Sequence, residues 1–346
     1  MKKIAVNRLD TVYKRIAETA DLFLPIKKAG QTDFCKWAES DEVDVFKLKT
    51  VKSAKNAFFP QTQDLVKFQV SGKEITVEEP VLPDKKQVVF GVKACDVRSF
   101  DILDMAFTED FPDTFYQARR DNTTIVSLAC NKPDEACFCS VYGIDASEPK
   151  GDVETWLVGD TLYFKPITEK GNAFIENIGD LLSDTDDADV SAVENVKKNI
   201  KDAVDRLPYS HLDLKGFDKE HLMEKFNSDK WNELSSACLG CGTCTFVCPT
   251  CQCYDIRDFK TNKGVKRFKC WDSCMYSDFT LAAAGQPRPT QMQRYRQRFM
   301  HKLIYFPSNH DGVYSCVGCG RCVQKCPQML NIVKVIKTLG DKKDDE

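Results

Sequence analysis

CLGCGTCTFVCP, residues 238–249, and CVGCGRCVQKCP, residues 316–327, repeat one spacing, C-x2-C-x2-C-x3-C-P. Nothing else in the chain constrains its fold as much. Three thiols at two-residue intervals wrap one face of an iron–sulfur cubane. Glycines between them let backbone amides approach the sulfides, and the fourth cysteine of each run typically ligates the other cluster. One [4Fe-4S] cluster is therefore expected on Cys238, Cys241, Cys244 and Cys326, and a second on Cys316, Cys319, Cys322 and Cys248. Zinc is the competing occupant of a four-thiol set, although zinc knuckles seldom place three such thiols before C-x3-C-P. In small ferredoxins the two runs lie close together. Here about seventy residues separate them, and much of that insert reads as helical. A helical ferredoxin-like domain framing two clusters is the expected scaffold.

The chain has 346 residues and 17 cysteines, well below the density of a disulfide scaffold. In an unexported protein thiols stay reduced, so clustered cysteines read as metal ligands. With only four histidines, none near a cysteine pair at zinc-finger spacing, all-sulfur sites are favoured. Cys95, Cys130, Cys137 and Cys139 supply the thiols of a third cubane. Cys95 and Cys130 follow two apolar stretches, QVVFGV and TTIVSL, that read as buried strands, and ligands collect at such strand ends. The competing reading is four ordinary buried cysteines. Cys251, Cys253, Cys270 and Cys274 are a further four thiols, open to three readings: a fourth cluster, a redox-active pair, or neighbours of the second cluster. Cys274, on a segment WDSCMYSDF read as helical, would lie one turn after Cys270. Cys35 stands alone and reads as structural.

Two domains fit this length: an N-terminal α/β domain with a mixed sheet over residues 1–205 and a helical dicluster domain over 206–346, an α+β chain overall. Residues 7–20 show helical periodicity, with Leu9, Val12, Tyr13 and Ile16 on one face. LVKFQV and EITVEE flank the turn SGK as a hairpin, and TWLVGDTLYFKPI reads as another. DVRSFDILDMAF reads as an amphipathic helix, with Asp96 placed to cap it. The acidic run before residue 205 leads into a charged helix. RYRQRFMHK, residues 294–302, is a basic stretch at helical spacing that reads either as a solvated face or as a docking surface.

A net charge of −3 makes no case for nucleic acid. No apolar run is long enough to span a membrane. The N-terminus starts basic but lacks a continuous apolar stretch, so a cytoplasmic protein is expected. There is no dinucleotide fingerprint, no Ser-His-Asp order and no H-E-x-x-H.

The segments FFPQT, GVKACDVRSFDILD, CFCSVYG, CLGCGTCTFVCPTCQCYD, WDSCM, RYRQRFMHK and CVGCGRCVQKCPQ, in this order over nearly the whole chain, resemble the iron–sulfur β subunits of cytoplasmic sulfhydrogenases. They are equally similar to the corresponding iron–sulfur component of anaerobic sulfite reductase and to subunits accompanying flavin oxidoreductases of heterodisulfide reductase systems. The resemblance implies an electron-transfer role without a catalytic residue of the chain's own. It would relay electrons between two partners, an FAD-containing subunit linked to NAD(P)H and a terminal catalytic subunit. The match covers the eight ferredoxin-type cysteines, the N-terminal four, and Cys251, Cys253 and Cys274; Cys270 falls outside it. Two rivals remain: a subunit with its own disulfide- or polysulfide-reducing cysteine site, and a zinc-binding interaction module.

Overall fold

The computed structural model describes residues 1–340. In chain order its strands are β1 (Lys2–Ala5), β2 (Asp21–Lys28), β3 (Gln31–Lys36), β4 (Thr62–Ser71), β5 (Glu74–Glu78) and β6 (Gln87–Val92). They continue as β7 (Thr123–Leu128), β8 (Val153–Val158), β9 (Thr161–Pro166), β10 (Ser183–Asp184), β11 (Tyr254–Thr261) and β12 (Gly264–Trp271). Eight of these form one mixed sheet in the order β10-β1-β9-β8-β7-β6-β2-β3. Its centre is parallel: β6 pairs in parallel with both β2 and β7, and β7 with β8. Every residue of β6 is buried, which is why this strand reads as an unbroken apolar run rather than an alternating one. Helix Leu9–Ala17 covers the sheet with Leu9, Val12, Tyr13 and Ile16, the face its periodicity predicts.

The fold is α+β, as expected, but the insert between the cysteine runs departs from the helical reading. Residues 254–271 form the antiparallel hairpin β11–β12. The reason is local: TNKG supplies the turn, and the flanks mix β-branched and aromatic residues with charges, a pattern suited to a half-exposed strand. β12 then pairs with β4, making a second sheet ordered β11-β12-β4-β5. The helical reading of WDSCMYSDF fails for the same reason, since Cys270 and Trp271 belong to β12 and the chain turns directly after it.

Beyond residue 290 the chain is helical. Thr290 caps helix Gln291–Met300 in a capping box, and the helix continues through a π turn, His301–Tyr305, into Phe306–Asn309. Its buried face packs with Trp231, Leu234 and helix Ile332–Leu339 into a second core. Phe138, from the N-terminal half, is part of that core.

Candidate metal centres

Each ferredoxin-type run turns through two left-handed glycines, Gly240 and Gly242 in the first, Gly318 and Gly320 in the second. Tight turns at these points bring thiols from distant positions to common cavities. One cavity is lined by Cys238, Cys241, Cys244 and Cys326, with Met275 and Tyr295 beside them. A second is lined by Cys248, Cys316, Cys319 and Cys322, with Arg298 and Lys302. The fourth cysteine of each run thus sits with the other run's three, the crossed grouping expected from the spacing.

The walls are apolar, and burial pushes the Cys244 and Cys316 thiols up to about 11 and Cys319 to about 12. Such thiols stay protonated at neutral pH until a metal displaces the proton. Two sulfurs already accept hydrogen bonds, Cys326 Sγ from the Leu330 amide at 3.3 Å and Cys238 Sγ from Gln291 Nε2 at 3.5 Å. Bonds of this kind tune a cluster's potential.

The N-terminal thiols also come together. Cys95 lies in the first turn of helix Ala94–Phe107, after β6, and Cys130 lies two residues past β7. Cys137 and Cys139 follow on a loop, and Cys130, Cys137 and Cys139 are buried. Burial, then Cys130 and Cys137, raises the Cys139 thiol to about 12. This loop presses on the second ferredoxin-type run: the Phe138 amide donates to the Gly318 carbonyl at 2.8 Å. A Cβ on Gly318 would lie 2.3 Å from the Phe138 carbonyl oxygen, and one on Gly320 2.3 Å from that of Ala136. Only glycine fits where two backbones pass this closely.

Asp96 clamps the same junction. It does not cap its helix; Lys93 holds the cap position without a side-chain bond. The Asp96 carboxylate instead accepts a bidentate pair from Arg321, at 2.6 and 2.7 Å, with both side chains buried. Arg321 also donates to the Thr50 carbonyl at 3.1 Å. The sequence hint was the arginine of GRC in the second run, where the first run has GTC.

The remaining thiols divide. Cys253 meets Cys274, whose thiol and amide hold Cys253 down to about 7. Cys251 meets Cys248. Cys270 is apart, paired across the sheet with Asp255 and Thr62 and facing Arg257 and Asp272. The four-cysteine grouping is therefore replaced by a trio beside the second cavity.

The basic stretch 294–302 turns inward, contrary to both readings of it. Tyr295, Arg298, Phe299 and Lys302 share one helix face, and Arg298 and Lys302 are 2% and 3% exposed. Lys302 donates to Thr250 Oγ1 at 2.8 Å and to the Ser315 carbonyl at 2.9 Å. A third buried cation, Lys55, donates to the carbonyls of Cys248 and Cys251 at 3.0 and 2.8 Å and lies over the Trp271 ring. Burial lowers its pKa to about 8. Spacing held the signal: two cations fall on the same stripe as the aromatic residues, where a solvated face would have kept them apart.

The donor sets fit iron–sulfur clusters: four soft thiols around each cavity, left-handed glycines in each run, and buried cations nearby to offset an anion. Among the described residues, no three of His, Cys, Asp or Glu converge tightly enough for a single metal ion; the thiols ring a cavity instead. Comparison with known proteins agrees. Residues 237–330 match the family model of the 4Fe-4S dicluster domain, so the chain is of the dicluster iron–sulfur class. Over 330 residues it is 31% identical to Sulfhydrogenase 2 subunit beta of Pyrococcus furiosus, a match covering 94% of this chain and 93% of that one. The chain belongs to this family of iron–sulfur β subunits. No solved structure matches it significantly. No helix among the described residues is long and apolar enough to cross a membrane.

Proposed function

We propose that this chain is a cytoplasmic electron-relay subunit carrying three [4Fe-4S] clusters. The observation that carries the reading is the gathering of two crossed four-thiol sets around two cavities, with a third set on a loop packed against the second. Bound clusters supply one-electron carriers. Residues 206–346 hold two of them, and residues 1–205 present the third through Cys95, Cys130, Cys137 and Cys139. Electrons enter from an FAD-containing subunit linked to NAD(P)H and leave to a terminal catalytic subunit of hydrogenase, sulfite reductase or heterodisulfide reductase type. The relative's name as a β subunit supports working within such an assembly. Iron and sulfide analysis of anaerobically purified protein tests the reading. Three cubanes give about twelve of each per chain, and fewer than about eight irons overturns it.

The contact between Cys253 and Cys274 favours a second reading, a dithiol site that reduces disulfides or polysulfide. Turnover by the isolated chain, given an artificial electron donor and such a substrate, would support it. A zinc module would be colourless, whereas a cubane protein absorbs broadly and bleaches on reduction.

A further inference from the structure

Arg298 and Lys302 are buried cations without a carboxylate. Among the described residues neither forms an ion pair with Asp or Glu, although both line the cavity of Cys248, Cys316, Cys319 and Cys322. Arg298 donates through Nη2 to the Cys244 carbonyl at 2.9 Å, while its Nε and Nη1 are buried with no partner. Lys302 projects from the π turn His301–Tyr305, a local rewinding that re-aims side chains and recurs at functional sites. Its ammonium bonds Thr250 Oγ1, which lies 3.3 Å from Cys248 Sγ. Lys55 differs, because two carbonyls and an aromatic face satisfy its charge.

A buried cation lacking a counter-charge is strongly unfavourable, and protonated thiols supply none. Thiolates on an iron–sulfur cluster do, and the cluster gains a further negative charge on taking an electron. We propose that Arg298 and Lys302 raise the reduction potential of the centre held by Cys248, Cys316, Cys319 and Cys322. Arg298, bonded at the first cavity's Cys244 and lining the second, also raises that of the centre held by Cys238, Cys241, Cys244 and Cys326. Both are positioning residues whose fixed charge stabilises the reduced form. The inference rests on the cluster reading above.

The test is a potentiometric titration, followed by electron paramagnetic resonance, of the full chain and the variants Lys302→Gln and Arg298→Gln. With iron and sulfide content unchanged, Lys302→Gln is expected to lower one midpoint by a factor of about ten in the reduction equilibrium, about 59 mV for one electron. Arg298→Gln lowers two midpoints. Lys302→Arg and Arg298→Lys, which keep the charge, stay near the wild type. Lys302→Met, which keeps the stem and fills the space, replaces the glutamine variant if that one does not fold. Midpoints unmoved at full iron content overturn the proposal, as do charge-preserving variants that shift as far as the neutral ones. A wild-type chain with fewer than about eight irons instead overturns the cluster reading itself.

Discussion

A carboxylate one residue after Cys95 reads as a helix cap, and its true role depends on a residue 225 positions away. Asp96 and Arg321 form a desolvated bidentate pair, and removing one partner strands the other's charge. Asp96→Asn is expected to lower stability by about 3–5 kcal/mol, read as a fall in the urea midpoint under anaerobic conditions. Replacing both residues by apolar ones of similar volume should cost far less. His301 carries a second prediction. Burial, with Lys302, His310 and Arg288, lowers its pKa from 6.5 to about 4. The folded form therefore keeps a neutral ring where the unfolded chain binds a proton. That contribution is fully present above pH 6.5 and is lost as pH falls towards 4. The difference in unfolding midpoint between wild type and His301→Gln, followed from pH 7.5 to 4.5, should shrink as pH falls; a flat difference refutes it.

Elements with a strong period were legible. The N-terminal helix, the hairpins β4–β5 and β8–β9, and buried β6 and β7 all appear where apolar spacing put them. The hairpin β11–β12 was not read because it follows a cysteine loop in a region whose later part is helical, and its exposed strands carry no apolar alternation. The basic helix was misread because charge suggests solvent until a counter-charge is known. At this scale the close approach of the loop at Phe138 to the second ferredoxin-type run makes a sharp prediction. Gly318→Ala must move one backbone away from the other and leave a left-handed conformation at φ +58° to a residue that resists it. Hydrogen exchange should show faster opening of residues 136–139 in the variant, with the first cavity's loop unaffected.

At the scale of the molecule, the N-terminal sheet and the dicluster domain are joined by β4 pairing with β12, by Asp96 with Arg321, and by Phe138 in the C-terminal core. A thiol set on such a junction is well placed to pass electrons between halves. Cys139→Ser should lower iron from about twelve to about eight per chain, one cubane fewer, while circular dichroism and the remaining cluster signals persist. A full iron complement in that variant would show that the N-terminal thiols hold none.

Motif spacing by itself determined the two cubane runs, the crossing of their fourth cysteines and the family to which the chain belongs. These are local properties, because three thiols at two-residue intervals can meet one object whatever surrounds them. Tertiary structure alone decided which other thiols stand together, separating Cys270 from Cys251, Cys253 and Cys274. It also turned Arg298 and Lys302 inward and matched Asp96 to Arg321. Those outcomes depend on which charges lose their water on folding, and burial is a property of the packed chain.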